Sequence, residues 1–94
     1  MINVGVAAAT SGWFLASASE RDALAVVDLI ATSAAARLAL ERRQAPNERE
    51  VQAAWVKWYR EALDSVRTLP VTGPSSQVDA KVAQSIAALT RDSQ

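Results

Sequence analysis

Between Gln44 and Asn47 only Ala45 and Pro46 intervene, and on both sides apolar residues recur at the three-and-four spacing of a helical face. Proline inside a helix removes a backbone hydrogen bond and clashes with the preceding turn, so the helical pattern must break here. A break this short leaves the two flanking helices one arrangement, side by side and antiparallel. That constraint shapes the reading of the whole 94-residue chain.

The second of these helices is predicted over residues 47–69, NEREVQAAWVKWYREALDSVRTL. Val51, Ala54, Trp55, Trp58, Tyr59, Ala62, Leu63, Val66 and Leu69 form one stripe. Arg49, Gln52, Lys57, Arg60, Glu61, Asp64 and Arg67 occupy the other side. Lys57–Glu61 and Arg60–Asp64 are spaced to pair in solvent, for a few tenths of a kcal/mol each. Asn47 with Glu50 has the spacing of a capping box, and Pro70 closes the far end. Trp55, Trp58 and Tyr59 make a large apolar ridge. Such rings are either core of a small bundle or, where one projects outward, an anchor for a partner, since Trp and Tyr dominate interface hot spots.

The first long helix is predicted over residues 19–44, with Ser19 as its N-cap and Glu20 and Asp22 in a first turn that favours negative charge. Leu24, Val27, Ala31, Ala34 and Leu38 form a narrow seam suited to a partner helix, and Val26, Ile30 and Leu40 widen the apolar surface. Between Ala23 and Leu40 the only charges are Asp28 and Arg37, so this helix is expected to be buried on more than one side. Residues 1–18 carry no charged side chain and include Trp13, Phe14 and Leu15. Three readings stand for them: a short helix loosened by Gly5 and Gly12 that completes the core, an apolar arm that docks on a neighbour, or an export signal cleaved near Ala16-Ser17-Ala18. No basic residue precedes the apolar run, which argues against the last. A membrane span is not expected from a stretch barely long enough and rich in Gly, Ser, Thr and Ala.

Two prolines bracket Gly73 in the loop at residues 70–76, and Ser76 with Asp79 marks a third helix to about residue 91. Its Val78, Val82, Ile86 and Leu89 share one side. So short a helix is marginal alone and must dock on its neighbours. The expected fold is one all-α domain: a small helical bundle with an antiparallel long pair, a shorter C-terminal helix and an apolar N-terminal segment.

Composition narrows the function classes. With no cysteine and no histidine, disulfides, thiolate metal sites, His-based triads and the usual proton shuttle are excluded. Neither a cofactor nor a metal is expected. Ten basic and ten acidic side chains cancel, which gives no global electrostatic pull toward nucleic acid or an anionic membrane. Arg37, Arg42, Arg43 and Arg49 gather around the bend as a candidate anion contact, with Glu41, Glu48 and Glu50 offsetting them. Asp28 is the one carboxylate on a mostly apolar helix. It is either buried, as a catalytic acid can be, or placed on a solvent seam or beside a basic residue. No second acid, base or nucleophile is placed to work with it.

In length and helix–bend–helix layout the chain resembles the small secreted helical hairpins whose bend carries Trp-x-Gly. That motif is missing: Gln44-Ala45-Pro46-Asn47 stand at the bend, and Gly12 precedes Trp13. In composition it is also similar to some small virion or secretion-apparatus subunits, and no family is assigned on either likeness. The expected function is a non-catalytic protein–protein interaction or assembly subunit, oligomeric or part of a larger complex, with Trp13, Phe14, Leu15, Trp55, Trp58 and Tyr59 as candidate interface residues. It is expected to be soluble, in the cytoplasm or within an assembly rather than secreted. The alternatives are a helical regulator binding nucleic acid through the arginines near the bend, and a small-ligand pocket protein or enzyme.

Overall fold

Alanine-rich sequence interrupted at Pro46 and again between Val66 and Ser76 yields three helices packed on one another in the computed structural model. The model describes residues 4–69 and 75–93, with side chains from Ser19 onward. The helices are α1 (Val4–Gln44), α2 (Arg49–Val66) and α3 (Ser76–Asp92). The all-α bundle read from the sequence is the fold observed.

The largest departure is in α1, one continuous helix of 41 residues rather than a segment followed by a helix from residue 19. Ser19 is therefore not an N-cap. Its amide lies in mid-helix, where backbone partners are already supplied, and the alanines on either side carry the helix through. Gly5 and Gly12 each weaken it by about 1 kcal/mol relative to alanine, too little to break it. The side chains of Trp13, Phe14 and Leu15 lie outside those described, as do residues 70–74 of the expected loop.

At about 1.5 Å per residue α1 is about 62 Å long, the longest dimension of the molecule (62 × 24 × 17 Å). The 18 residues of α2 and 17 of α3 make rods of only about 27 Å. Both lie along the C-terminal half of α1. The bend sets one end for α2. For α3 the near end is fixed where the Ser75 hydroxyl donates to Glu20 Oε2 (2.9 Å) and accepts from the Val78 amide (3.2 Å). Ser75, not Ser76, is thus the N-cap of α3, because its extended backbone points the hydroxyl back at the first turn.

The bend also differs from expectation in detail. Asn47 makes no capping box. The Glu48 amide donates to Ala45 O (3.1 Å), closing a tight turn around Pro46, and α2 begins at Arg49 without a side-chain cap. Gln52 Nε2 reaches back to the same Ala45 carbonyl (3.0 Å) and ties α2 to the end of α1. At the other end α2 stops at Val66, and Thr68 and Leu69 donate three residues back to Ser65 and Val66. Asp64 pairs with Arg67 (3.4 Å) rather than with Arg60.

Ala23, Val27, Ala34 and Leu38 of α1, Tyr59, Leu63 and Val66 of α2, and Val78, Val82 and Leu89 of α3 form one core. Leu24, Ile30, Trp55, Val56 and Ile86 pack around it, half-buried. Val27, Ala34 and Leu38 of the expected α1 seam are core, with Ala23 buried while Leu24 and Ala31 are only half-buried, and the prediction that α1 is buried on several sides fails. The stretch Ser19–Gln44 is long and apolar enough to cross a membrane, with a mean hydropathy of 1.7, yet only 22% of that apolar window is buried. Two helices on one seam leave the rest of its surface open.

Leu63 is completely buried between the three helices, so Leu63→Ala should cost about 2–5 kcal/mol in chemical denaturation. Ser75→Ala loses a cap and should cost about 1 kcal/mol, with α2 unaffected.

Candidate interaction face

Where α3 sits decides which surfaces stay open. On α1 it packs along the flank that carries Asp28, Ala31 and Ala35: Lys81 Nζ lies 2.9 Å from Asp28 Oδ1, and Lys81, Ser85 and Ala88 border one groove with the two alanines. On α2 its Ile86 lies beside Arg60 and Asp64. Helix geometry, about 100° per residue, then fixes the opposite flanks. Val26 falls about 160° around α1 from Asp28, and Arg37 about 180°. Trp58 falls about 160° around α2 from Arg60, and Val51 about 180°. The Arg37 guanidinium stacks over the Trp55 ring, 4.4 Å from its centroid, which shows that these two flanks adjoin. They form a single face on the side of the α1·α2 pair away from α3.

That face is apolar and open. The exposed large hydrophobic residues among those described are Val26, Leu29, Val51, Trp58 and Leu69. Leu29, on the crest of α1, is 66% exposed, and Trp58 is 56% exposed. Ile30, Ser33, Ala36 and Leu40 continue the α1 side of the face by helical position, and Ala54, Ala62 and Ser65 continue the α2 side. Its charges by helical position are Arg37, held by Glu41 at 3.5 Å as well as by Trp55, and the exposed Asp22, one turn before Val26.

The aromatic ridge divides between the two roles open to it. Tyr59 enters the core. Trp55 is half-buried and lies 5.9 Å from Tyr59, the rings tilted by 32°. Trp58 stands outside, edge-on to Tyr59 at 4.9 Å and to Trp55 at 6.3 Å. Three rings in mutual contact form a stiff platform, with its outer member held in place by the buried one.

Two other candidates resolve differently. Asp28 is not a buried acid: it is 62% exposed and ion-paired across helices to Lys81. Among the described residues no group of acidic side chains could hold a metal. Of the arginines near the bend, Arg42 and Arg49 come together, with Lys57 and Arg60, around an open cleft of about 300 Å³ floored by Leu38 and Val56. Arg37 is on the opposite flank and Arg43 does not line the cleft. Lys57 and Arg60 were missed because the arginines were grouped by closeness to the bend. Their spacing of eight and eleven from Arg49 places all three on one side of α2 and was the available signal.

Comparison with protein-family models, with curated proteins and with solved structures gives no match for this chain.

Adjacent substitutions should separate core from surface. In dilute protein Tyr59→Ala should lose about 3 kcal/mol or more in urea denaturation, whereas Trp58→Ala should change stability by less than about 1 kcal/mol.

Proposed function

We propose that this chain is a non-catalytic assembly subunit that works by packing its open α1·α2 face against another helical protein. The observation that carries the reading is the collection of Val26, Leu29, Val51 and Trp58 on a side whose few charges are Arg37, paired with Glu41, and Asp22. Single exposed apolar residues are ordinary, but a contiguous patch centred on an indole has the makeup of a binding hot spot. A structural component of a virion or of a secretion apparatus is one setting such a subunit would suit. Insertion of α1 in a bilayer competes poorly. It would strip α2 and α3 from Val27, Ala34 and Leu38, and would carry Asp28 and Arg37 into hydrocarbon at about 2.5–3.5 kcal/mol each.

The test is native mass. Isolated gently from its source, the protein should run well above the 10.0 kDa of one chain, with its partner chains retained. Recovery of a lone 10.0 kDa species at cellular concentration would count decisively against the reading.

A second reading has its own observation, the cleft of Arg42, Arg49, Lys57 and Arg60, which no acidic residue lines. An anionic ligand, nucleic acid included, would bind there. It predicts a gel shift at about 50 mM salt that weakens steeply by about 200 mM, and that Arg42→Ala with Lys57→Ala abolishes while Arg43→Ala does not. Unchanged mobility at the lower salt would end it.

A further inference from the structure

We infer that the occupant of the open face is a second copy of this chain, two α1·α2 pairs closing on each other as a four-helix layer with each α3 on the outside. This rests on the interaction reading above and specifies its partner.

Three features point to a copy. The first is width. A single helix laid in the groove between α1 and α2 would cover Val26, Ile30 and Trp58 but not Leu29, which projects from the crest of α1 and is the most exposed large apolar residue described. Only a layer two helices wide reaches it, and an α1·α2 pair is such a layer. The second is charge. In a two-fold contact the face meets its own equivalent, so arrays of like charge are excluded. Here Arg37 is paired with Glu41 within the same chain, and the other charge by helical position, Asp22, stands singly toward one end of the face, so no such array is present. The third is area. The face is about 27 Å long and about 20 Å wide, two helix diameters. Two copies would hide about 1,100 Å² by footprint alone, above the roughly 1,000 Å² that a specific interface needs.

The test is light scattering and sedimentation of the purified full-length chain alone, from about 1 to about 200 µM, since dimerisation follows mass action. The expected result is twice 10.0 kDa at the upper concentrations. Leu29→Glu and Trp58→Glu should each raise the dissociation constant about 30-fold or more while leaving the far-UV circular dichroism unchanged, because both side chains lie outside the core. Gln84→Glu, on the exposed side of α3, should leave the dimer intact. A wild-type chain that stays at 10.0 kDa throughout overturns the inference, as does a dimer that both face variants leave undisturbed. If the pure chain is monomeric but the native preparation keeps a different protein that Trp58→Glu releases, the second copy is refuted and the assembly reading stands. A lone chain in both preparations refutes both.

Discussion

One seam on α1 holds the molecule together. Ala23, Val27, Ala34 and Leu38 take the apolar stripes of both α2 and α3, and the two alanines let those helices approach closely enough to pack on each other as well. Neither short helix would be stable alone in water. Each borrows order from a long helix whose alanine content makes it a good former in its own right. Because both borrow from the same seam, both end up on the same side of α1. The open face follows from that economy.

The polar contacts orient the helices more than they stabilise them. Asp28–Lys81 fixes where α3 lies around α1, Ser75 with Glu20 fixes where it starts, and Arg37 over Trp55 aligns α2. Exposed ion pairs of this kind contribute about 0–1 kcal/mol each, and an exposed cation over an indole about as much. Their value is positional. They hold α3 on one side of the pair and the indoles on the other, so the cationic cleft and the apolar face stay separate.

Much of this was legible residue by residue. The α2 and α3 stripes, the α1 seam and the break at Pro46 all appear as spacing, and the helices use them. What misled was local chemistry with more than one meaning. Ser19-Glu20-Arg21-Asp22 has the form of a helix start, yet the same residues are tolerated in mid-helix, and nothing nearby forces a stop. Asn47 and Ser76 were plausible caps a residue or two from the helix starts, displaced by a backbone turn at Ala45–Glu48 and by the better-placed hydroxyl of Ser75. Asp28 looked odd on an apolar helix only because Lys81, fifty-three residues on, could not be seen beside it.

By itself the sequence determined that the chain is helical, where it must turn, and which residues of each helix are apolar, since backbone propensity and periodicity act over a few neighbouring residues. Which of those apolar residues are hidden was decided only by tertiary structure. Val26 and Val27 are adjacent and alike, and so, nearly, are Trp58 and Tyr59. One of each pair is in the core and the other in solvent because α3 packs on the Asp28 flank and not on the Arg37 flank. That choice depends on contacts between residues far apart in the chain, and no local pattern records it.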